Sequence, residues 1–316
     1  MRSIMIATML SLSLSLACGG AEQGRGAPTS AKGSDERLPR TPLLRFAGSL
    51  STPESVLWDE EADRYLVSNI GGNPLDRDGN GYISELSPDG GITRAKWIAG
   101  GVGGARLDAP KGIAISAGVL YVADIDTLRM FDAGSGAPKG ELTIAGATFL
   151  NDVAVGADGK VYVSDSGLRA GASGFEPTGS DAVYVVEGGA VRAIAKRPDL
   201  GRPNGLLPDG GGVWVVTFGS GELYRLDADG GRREVSKLPL GALDGIVRLD
   251  GSTFVSSWEG SMIYRSQAGG RFEPFIAGVK APADIGLDRK RRRILVPRFS
   301  EDAVEVYAAD GAALMP

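Results

Sequence analysis

Glu54, Asn151, Asn204 and Asp244 occupy the same place in a short phrase that returns along the chain. The phrase reads Pro53-Glu54-Ser55-Val56-Leu57, Pro110-Lys111-Gly112-Ile113-Ala114, Leu150-Asn151-Asp152-Val153-Ala154, Pro203-Asn204-Gly205-Leu206-Leu207, Leu243-Asp244-Gly245-Ile246-Val247 and Pro282-Ala283-Asp284-Ile285-Gly286. If these segments are equivalent units about an axis, two carboxylates and two carboxamides converge on one point. Such a set suits a hard cation. Calcium takes six to eight oxygens in loose geometry, whereas magnesium demands a stricter octahedron. Zinc and copper prefer imidazole or thiolate, and the chain has no histidine and a single cysteine. Two carboxylates held together without a cation raise at least one pKa and cost stability. The competing explanation is turn chemistry, because Asn-Gly and Asp-Gly favour turns. Glu54 and Asn151, however, are followed by Ser55 and Asp152. One divalent cation, expected to be Ca2+, is the cofactor this pattern asks for. Lys111 stands at a donor position. It either binds a substrate oxyanion or pairs with Asp244 or Asp124 and replaces part of a metal's charge.

The absences exclude whole classes of chemistry. Without histidine there is no Ser-His-Asp triad, no Cys-His pair and no His-ligated zinc site. Reactions must run on carboxylates, amides, Lys, Arg, hydroxyls or a metal held by oxygen. The net charge is −5 over 316 residues with no long basic stripe, which argues against nucleic acid as a partner. Apolar residues are 42% of the chain, enough for a globular core.

The elements that must position these residues are short strands. Val119-Leu120-Tyr121-Val122, Val161-Tyr162-Val163, Val213-Trp214-Val215-Val216 and Ile294-Leu295-Val296 have strand composition and length. Asp-Gly pairs at 89–90, 158–159, 209–210, 229–230, 250–251 and 310–311 mark expected hairpin turns. The phrases lie 57, 40, 53, 40 and 39 residues apart, periods that in an all-β chain indicate a propeller. The spacing predicts an all-β, six-bladed β-propeller over residues 42–316 with four antiparallel strands per blade. Fourth strands end Trp97-Ile98-Ala99-Gly100, Thr143-Ile144-Ala145-Gly146 and Phe275-Ile276-Ala277-Gly278, and Arg45-Phe46-Ala47-Gly48 ends alike before the first unit. The last unit has only three strands after Pro282. Residues 42–48 are therefore expected to supply its outer strand, closing the ring and hiding its edges. Within an antiparallel blade, the start of the inner strand shares a rim with the end of the second. Asn69, Asp124, Asp152, Asp165, Trp258, Asp284 and Arg298 are thus placed at the channel mouth as substrate-binding candidates. The alternative is that the acids and amides among them cap strand ends and loops.

The motifs carry a family resemblance. Pro53-Glu54-Ser55-Val56-Leu57-Trp58-Asp59 resembles the opening Glu-x-Pro-x-Trp motif of the regucalcin/gluconolactonase family. Arg202-Pro203-Asn204-Gly205-Leu206 resembles its Pro-Asn-Gly segment, Leu243-Asp244-Gly245 its Pro-Asp-Gly segment, and Asn151-Asp152 its remaining channel Asn. The likeness spans about residues 42–312. It implies a six-bladed propeller with one divalent cation, usually calcium, in the central channel, and hydrolysis of lactones, esters or phosphotriesters. It implies Glu54, Asn204 and Asp244 as metal ligands, Asn151 as a ligand or substrate holder, and Asp244 as general base or nucleophile. The related paraoxonases and diisopropylfluorophosphatase have a similar ring. Departures are Val56 in place of the motif's Pro, Lys111 at a ring position, and Phe149 where sugar-lactonase relatives place an Arg. The last speaks against a polyhydroxylated sugar lactone. The expected activity is a metal-dependent lactonase or esterase-like hydrolase with Asp244 and Lys111 as catalytic residues. The alternative is a non-catalytic, calcium-stabilised propeller serving as a membrane-tethered binding or scaffold protein. A lyase on the same scaffold is a third reading.

Other segments carry lesser signals. Asp76-Arg77-Asp78-Gly79-Asn80-Gly81-Tyr82-Ile83-Ser84 matches the first nine positions of an EF-hand calcium loop, but Ser87 stands where the bidentate Glu belongs. Asp76, Asp78, Asn80 and Ser84, with Glu85 in reserve, are candidates for a second, structural Ca2+, or for a turn that needs no ion. The insertion Gly167 to Asp181, carrying Phe175, is a candidate flap over the channel or a disordered surface loop. Arg289 to Arg293 reads as a solvated basic turn. At the N-terminus, residues 1–17 have the form of a signal peptide. Leu14-Ser15-Leu16-Ala17-Cys18-Gly19 resembles the bacterial lipobox, which implies acylation of Cys18, with residues 18–41 as a flexible tether. The expected address is the bacterial cell envelope, at the outer membrane facing the periplasm. The expected partners are a small lactone or ester substrate and, through the lipid anchor alone, the membrane; the expected state is a monomer.

Overall fold

The structure, a computed structural model, describes residues 41–172 and 174–311. The signal peptide, Cys18 and the tether up to residue 40 lie outside the described residues. After β1 (Leu44–Ala47), blade one is β2 (Pro53–Asp59), β3 (Arg64–Asn69), β4 (Tyr82–Leu86) and β5 (Ile92–Ala99). Blade two is β6 (Pro110–Ser116), β7 (Val119–Asp124), β8 (Thr127–Asp132) and β9 (Pro138–Thr143). Blade three pairs β10 (Leu150–Val155) and β11 (Val161–Asp165) with β14 (Ala182–Glu187) and β15 (Ala190–Lys196). A separate hairpin, β12 (Leu168–Gly171) and β13 (Gly174–Pro177), is inserted between its second and third strands. Blade four is β16 (Pro203–Pro208), β17 (Val213–Thr217), β18 (Glu222–Leu226) and β19 (Arg232–Lys237). Blade five is β20 (Leu243–Leu249), β21 (Ser252–Ser257), β22 (Met262–Gln267) and β23 (Glu273–Ala277). Blade six is β24 (Gly286–Asp288), β25 (Arg293–Arg298) and β26 (Ala303–Ala308), completed by β1. This is the six-bladed, four-stranded propeller that the spacing predicts.

Position in the blade decides composition. Second and third strands are covered on both faces by neighbouring blades, and β3 and β4 are buried along their whole length. Outer strands face water, and β19 carries Arg, Glu, Ser and Lys. Leu66, Ile83, Ile98, Leu120, Val122 and Phe131 form the apolar layer between blades one and two. The Asp250-Gly251 turn joins β20 to β21 with φ of 47° and 75°, the two left-handed residues that a tight hairpin needs.

Closure is made in the expected way. β1 runs antiparallel to β26, with Leu44 opposite Val306 and Ala47 opposite Ala303. Phe46 meets Tyr65 of blade one edge-on at 6.5 Å between ring centroids. Arg45 and Arg298 share Glu301 and Glu305 across the seam. The basic run lies at the β24–β25 turn, on the rim away from the phrase donors, and is engaged rather than merely solvated. Lys290 and Arg291 pair with Asp63 at 2.6 and 2.7 Å. Arg292 pairs with Asp250, and Arg289 and Arg293 donate to the carbonyls of Arg248 and Pro88.

Candidate functional site

A repeated backbone irregularity lies behind the repeated phrase. In five inner strands the pairing with the second strand skips two residues, passing from Pro53 to Val56, Pro110 to Ile113, Leu150 to Val153, Pro203 to Leu206 and Leu243 to Ile246. A bulge re-aims a side chain, and here it brings Glu54, Lys111, Asn151, Asn204 and Asp244 to one cavity. The sixth unit lacks a regular inner strand at this point. Isolated bridges hold Pro282 to Arg298 and Asp284 to Ser55, and Ala283 is fully buried. N–H groups freed by the bulges are met by serines of the second strands. Ser68 Oγ accepts from Ser55 at 2.9 Å, Ser164 Oγ from Asp152 at 2.8 Å and Ser256 Oγ from Gly245 at 2.7 Å.

The third residue of each phrase meets the next blade. A Cβ on Gly112 would lie 2.5 Å from Asp152 Cα, on Gly205 2.4 Å from the Asp244 carbonyl oxygen, and on Gly245 2.3 Å from Ile285 N. These glycines let adjacent inner strands approach, and they lie in strands rather than turns, so turn chemistry does not account for Asn204-Gly205 and Asp244-Gly245. Where the third residue is larger it bonds to its neighbour. Ser55 Oγ donates to Asp284 Oδ2, and Asp152 Oδ2 accepts from Leu206 N at 2.6 Å. Asp284 N donates to the Glu54 carbonyl at 2.9 Å, completing the circle.

The five side chains at the cavity floor are 7% exposed or less. Glu54 Oε2, Asn204 Oδ1 and Asp244 Oδ1 are buried and have no hydrogen-bond partner, whereas buried polar atoms nearly always have one. The rest of these groups is anchored. Trp258 Nε1 donates to Asp244 Oδ2 at 2.7 Å. Asn151 Nδ2 donates to Ser166 Oγ at 3.0 Å, and that hydroxyl donates to the Pro203 carbonyl at 2.7 Å. Burial first, then the fields of Asp244 and Asp284, push the Glu54 carboxyl well above its ordinary range, with Lys111 opposing. Burial likewise pushes Asp244 up to about 8, with Trp258 restraining the rise and Asp152 adding to it. Among the described residues no three His, Cys, Asp or Glu side chains come together at metal-binding spacing. What converges is a mixed set of two carboxylates and two carboxamides, with unpartnered oxygens on three of them. That set fits a hard, oxygen-seeking cation.

Above this floor the cavity holds about 270 Å³ and its wall is apolar. Ile70, Pro74, Phe149, Leu168, Phe175, Phe218, Trp258 and Phe299 line it. Phe218, Trp258 and Phe299 form a ladder of tilted rings with centroids 5.5 and 4.9 Å apart. Phe175 meets Phe149 edge-on at 5.9 Å. Leu168 and Phe175 come from β12 and β13, so the expected flap is an ordered hairpin on the cavity rim. Lys111 Nζ lies 4.5 Å from the Phe149 ring centroid and donates to the carbonyls of Pro74 and Ala109, both at 3.0 Å. Burial draws its ammonium down to about 8, with Glu54 and then Asp124 opposing. Glu54 and Asp124, not Asp244, are thus the carboxylates that bear on it. With two of its three N–H groups committed to backbone, Lys111 clamps the β3–β4 connection.

Most of the residues expected at the channel mouth stand behind it. Asn69 Oδ1 accepts from Ser51 N at 3.1 Å. Asp124 accepts from Ala109 N at 2.8 Å and Arg129 Nε at 2.9 Å. Asp165 accepts from Phe149 N and Gly167 N, both at 2.9 Å. Asp152 and Asp284 bond between inner strands, and Arg298 is spent on Glu301 and Glu305. These residues brace the loops that lead into the ring, as the capping alternative holds. Trp258 alone of that group lines the cavity. The error is one of frame. Side chains alternate along a strand, so the last residue of a second strand turns back to its own loop and the next one faces the channel. Ile70, Ser166, Phe218, Trp258 and Phe299 each immediately follow a second-strand end and each lines the cavity. The acidic loop is also corrected. Ser84 lies inside β4, fully buried, donating to the Ala95 carbonyl at 2.6 Å and accepting from Asn69 Nδ2 at 3.1 Å. Glu85 is taken by Arg64 and Arg94. Asp78 receives the Asn80 amide at 2.6 Å; with Ser84 and Glu85 engaged elsewhere, Asp76, Asp78 and Asn80 lack the later ligands of a calcium loop.

No family model matches the chain, and no curated protein does. Solved structures match in fold. A gluconolactonase from Xanthomonas campestris is similar with a TM-score of 0.61 at 18% identity, over 82% of this chain and 86% of that one. Regucalcin from Agrobacterium tumefaciens, a calcium-binding protein, gives 0.59 at 17% identity, over 85% and 93%. Virginiamycin B lyase from Staphylococcus aureus gives 0.57 at 14% identity, over 83% and 97%. At these identities the likeness is one of fold.

Proposed function

We propose that this chain is a divalent-cation-dependent hydrolase of lactones or esters, with its site in the channel cavity. The observation that carries the reading is the set of three buried, unpartnered oxygens on Glu54, Asn204 and Asp244. Together with Asn151 they would hold the ion, and calcium suits them best. When bound, a divalent cation supplies Lewis acidity toward a carbonyl oxygen and lowers the pKa of water. Asp244 is the base. Its Oδ1 would hold the ion, and its Oδ2, positioned by the Trp258 indole N–H, keeps a second lone pair to take a proton from attacking water. The apolar wall limits water around the reacting groups. Neighbours in fold that are described as a gluconolactonase and as a calcium-binding protein support both halves of the reading.

A lyase is less well supported. The S. aureus lyase structure is of a catalytically inactive variant in which a histidine is replaced, and this chain has no histidine to offer. The non-catalytic alternative is favoured by one observation, a lysine buried in the donor ring. Metal content of the purified protein and turnover of a lactone and aryl-ester panel, with and without calcium, separate the two. Calcium-dependent turnover abolished by Asp244→Asn is expected; no bound or stabilising divalent ion would overturn the reading. We infer further that Cys18 carries the lipid anchor and that the chain works as a monomer in the cell envelope. Labelling with a fatty-acid analogue that survives in wild type and vanishes in Cys18→Ser tests the anchor.

A further inference from the structure

We propose that the substrate carries a flat aromatic ring, as an aryl ester or a benzo-fused lactone, and seats it on the Phe218–Trp258–Phe299 ladder. This rests on the hydrolase reading and names its substrate class. Of the ladder, Phe299 packs against a small buried cluster of Ile70, Ala109 and Ile125; the other rings do less for the fold. Phe175, Phe218 and Trp258 belong to none of the apolar layers between blades. Phe218, Trp258 and Phe299 are only half-buried, and Phe175 is 47% exposed. A cavity of about 150 Å³ lined by aliphatic and aromatic side chains takes up benzene. The 270 Å³ available here therefore has room for one ring and an attached ester group, and offset or edge-on packing against the ladder is the favoured geometry.

Polyhydroxylated substrates meet the opposite condition. Ser166 is the one hydroxyl side chain on the wall, and it already donates to Pro203 and accepts from Asn151. Two of the Lys111 hydrogens are committed to Pro74 and Ala109. The remaining donors and acceptors lie at the floor, where the ion and the reacting carbonyl belong. Each sugar hydroxyl that enters the wall region exchanges water for no partner, a loss on the order of 10- to 100-fold apiece.

The test uses the whole chain loaded with calcium. Initial rates are measured on dihydrocoumarin and glucono-1,5-lactone, and binding of 2-tetralone, the carbocyclic and non-hydrolysable analogue of dihydrocoumarin, is measured by calorimetry. Dihydrocoumarin should exceed gluconolactone in kcat/KM by at least about 100-fold. Phe175→Ala, on an exposed hairpin, and Phe218→Ala should each weaken tetralone binding by about 2- to 10-fold, and should raise the dihydrocoumarin KM by a similar factor. Equal or reversed preference between the lactones overturns the aromatic assignment and leaves the hydrolase reading standing. Turnover of neither lactone overturns the hydrolase reading; saturable tetralone binding that both substitutions weaken then still supports the aromatic seat. Absence of tetralone binding, or binding indifferent to both substitutions, overturns the seat itself.

Discussion

Asp244→Asn should make the metal-free protein more stable and calcium-loaded protein less so. Asp244 is 3% exposed, and one of its oxygens has no partner. Burial raises its pKa from 3.8 to about 8. The folded state therefore holds a proton that the unfolded state releases, and wild-type stability falls as pH rises from about 4 to about 8. An amide keeps the shape, still accepts the Trp258 N–H through its oxygen, and removes one buried charge. Replacing buried charge by neutral groups of like volume gains roughly 1–4 kcal/mol. About 2 kcal/mol corresponds to a rise of roughly 4–8 °C in a domain of this size. The difference should be absent near pH 4 and full near pH 8. Calcium at one hundred times its Kd stabilises wild type by about 2.7 kcal/mol but not the variant, so the order of melting temperatures inverts. Scanning calorimetry at pH 4.5, 6.5 and 8, with chelator and with calcium, reads all of this. A variant that melts lower than wild type without metal at pH 8, or a gap that ignores pH, would refute the electrostatic reasoning; equal stabilisation of both proteins by calcium would refute the ligand assignment.

Trp258→Phe removes the 2.7 Å donor to Asp244. Hydrogen bonds to charged groups contribute about 1.5–3 kcal/mol, so calcium affinity should drop by about 10- to 100-fold with an unchanged far-ultraviolet spectrum; an unaltered Kd in calorimetric titration contradicts this. Gly245→Ala drives a Cβ to 2.3 Å from Ile285 N, and an unfolding free energy lowered by about 1–3 kcal/mol in urea denaturation is expected, against no change if the blades relax freely. Lys111→Met gives up hydrogen bonds to Pro74 and Ala109 and should lose about 2 kcal/mol of stability while retaining most ester turnover; loss of turnover in a folded variant would make Lys111 catalytic rather than a clamp.

The ring donors were legible because a single device produced them. Five copies of one bulge, each needing a residue to aim and a small or bonding residue after it, leave a phrase that repeats in sequence. Closure was legible because Phe46 and Ala47 end β1 as Ile98 and Ala99 end β5. The aromatic wall was harder to read. Phe218 and Phe299 sit one residue beyond Thr217 and Arg298, and polar residues at strand ends drew the eye to the wrong frame. Their alternation with Ile70, Ser166 and Trp258 at equivalent places was the signal that would have found them. Phe175 stood out only as a lone ring in an insertion, since no periodicity connects β12 and β13 to the blades. Ser84 misled because an Asp/Asn/Gly run continues into a strand, where burial and a carbonyl partner claim the hydroxyl.

The ring's energetics bear on whether its cation is real or has been replaced by Lys111. Three buried oxygens without partners cost roughly 3–9 kcal/mol at about 1–3 kcal/mol each, against a total stability of about 5–15 kcal/mol for a typical domain. A lysine that had taken over from a metal would direct its hydrogens to those oxygens. The Lys111 hydrogens go instead to Pro74 and Ala109, and Glu54 Oε2, Asn204 Oδ1 and Asp244 Oδ1 stay unmet. Lys111 eases the electrostatics of Glu54 through space, but it satisfies none of the oxygens. A cation that reaches all three at once, as the proposed function requires, would offset that cost, which Lys111 alone does not.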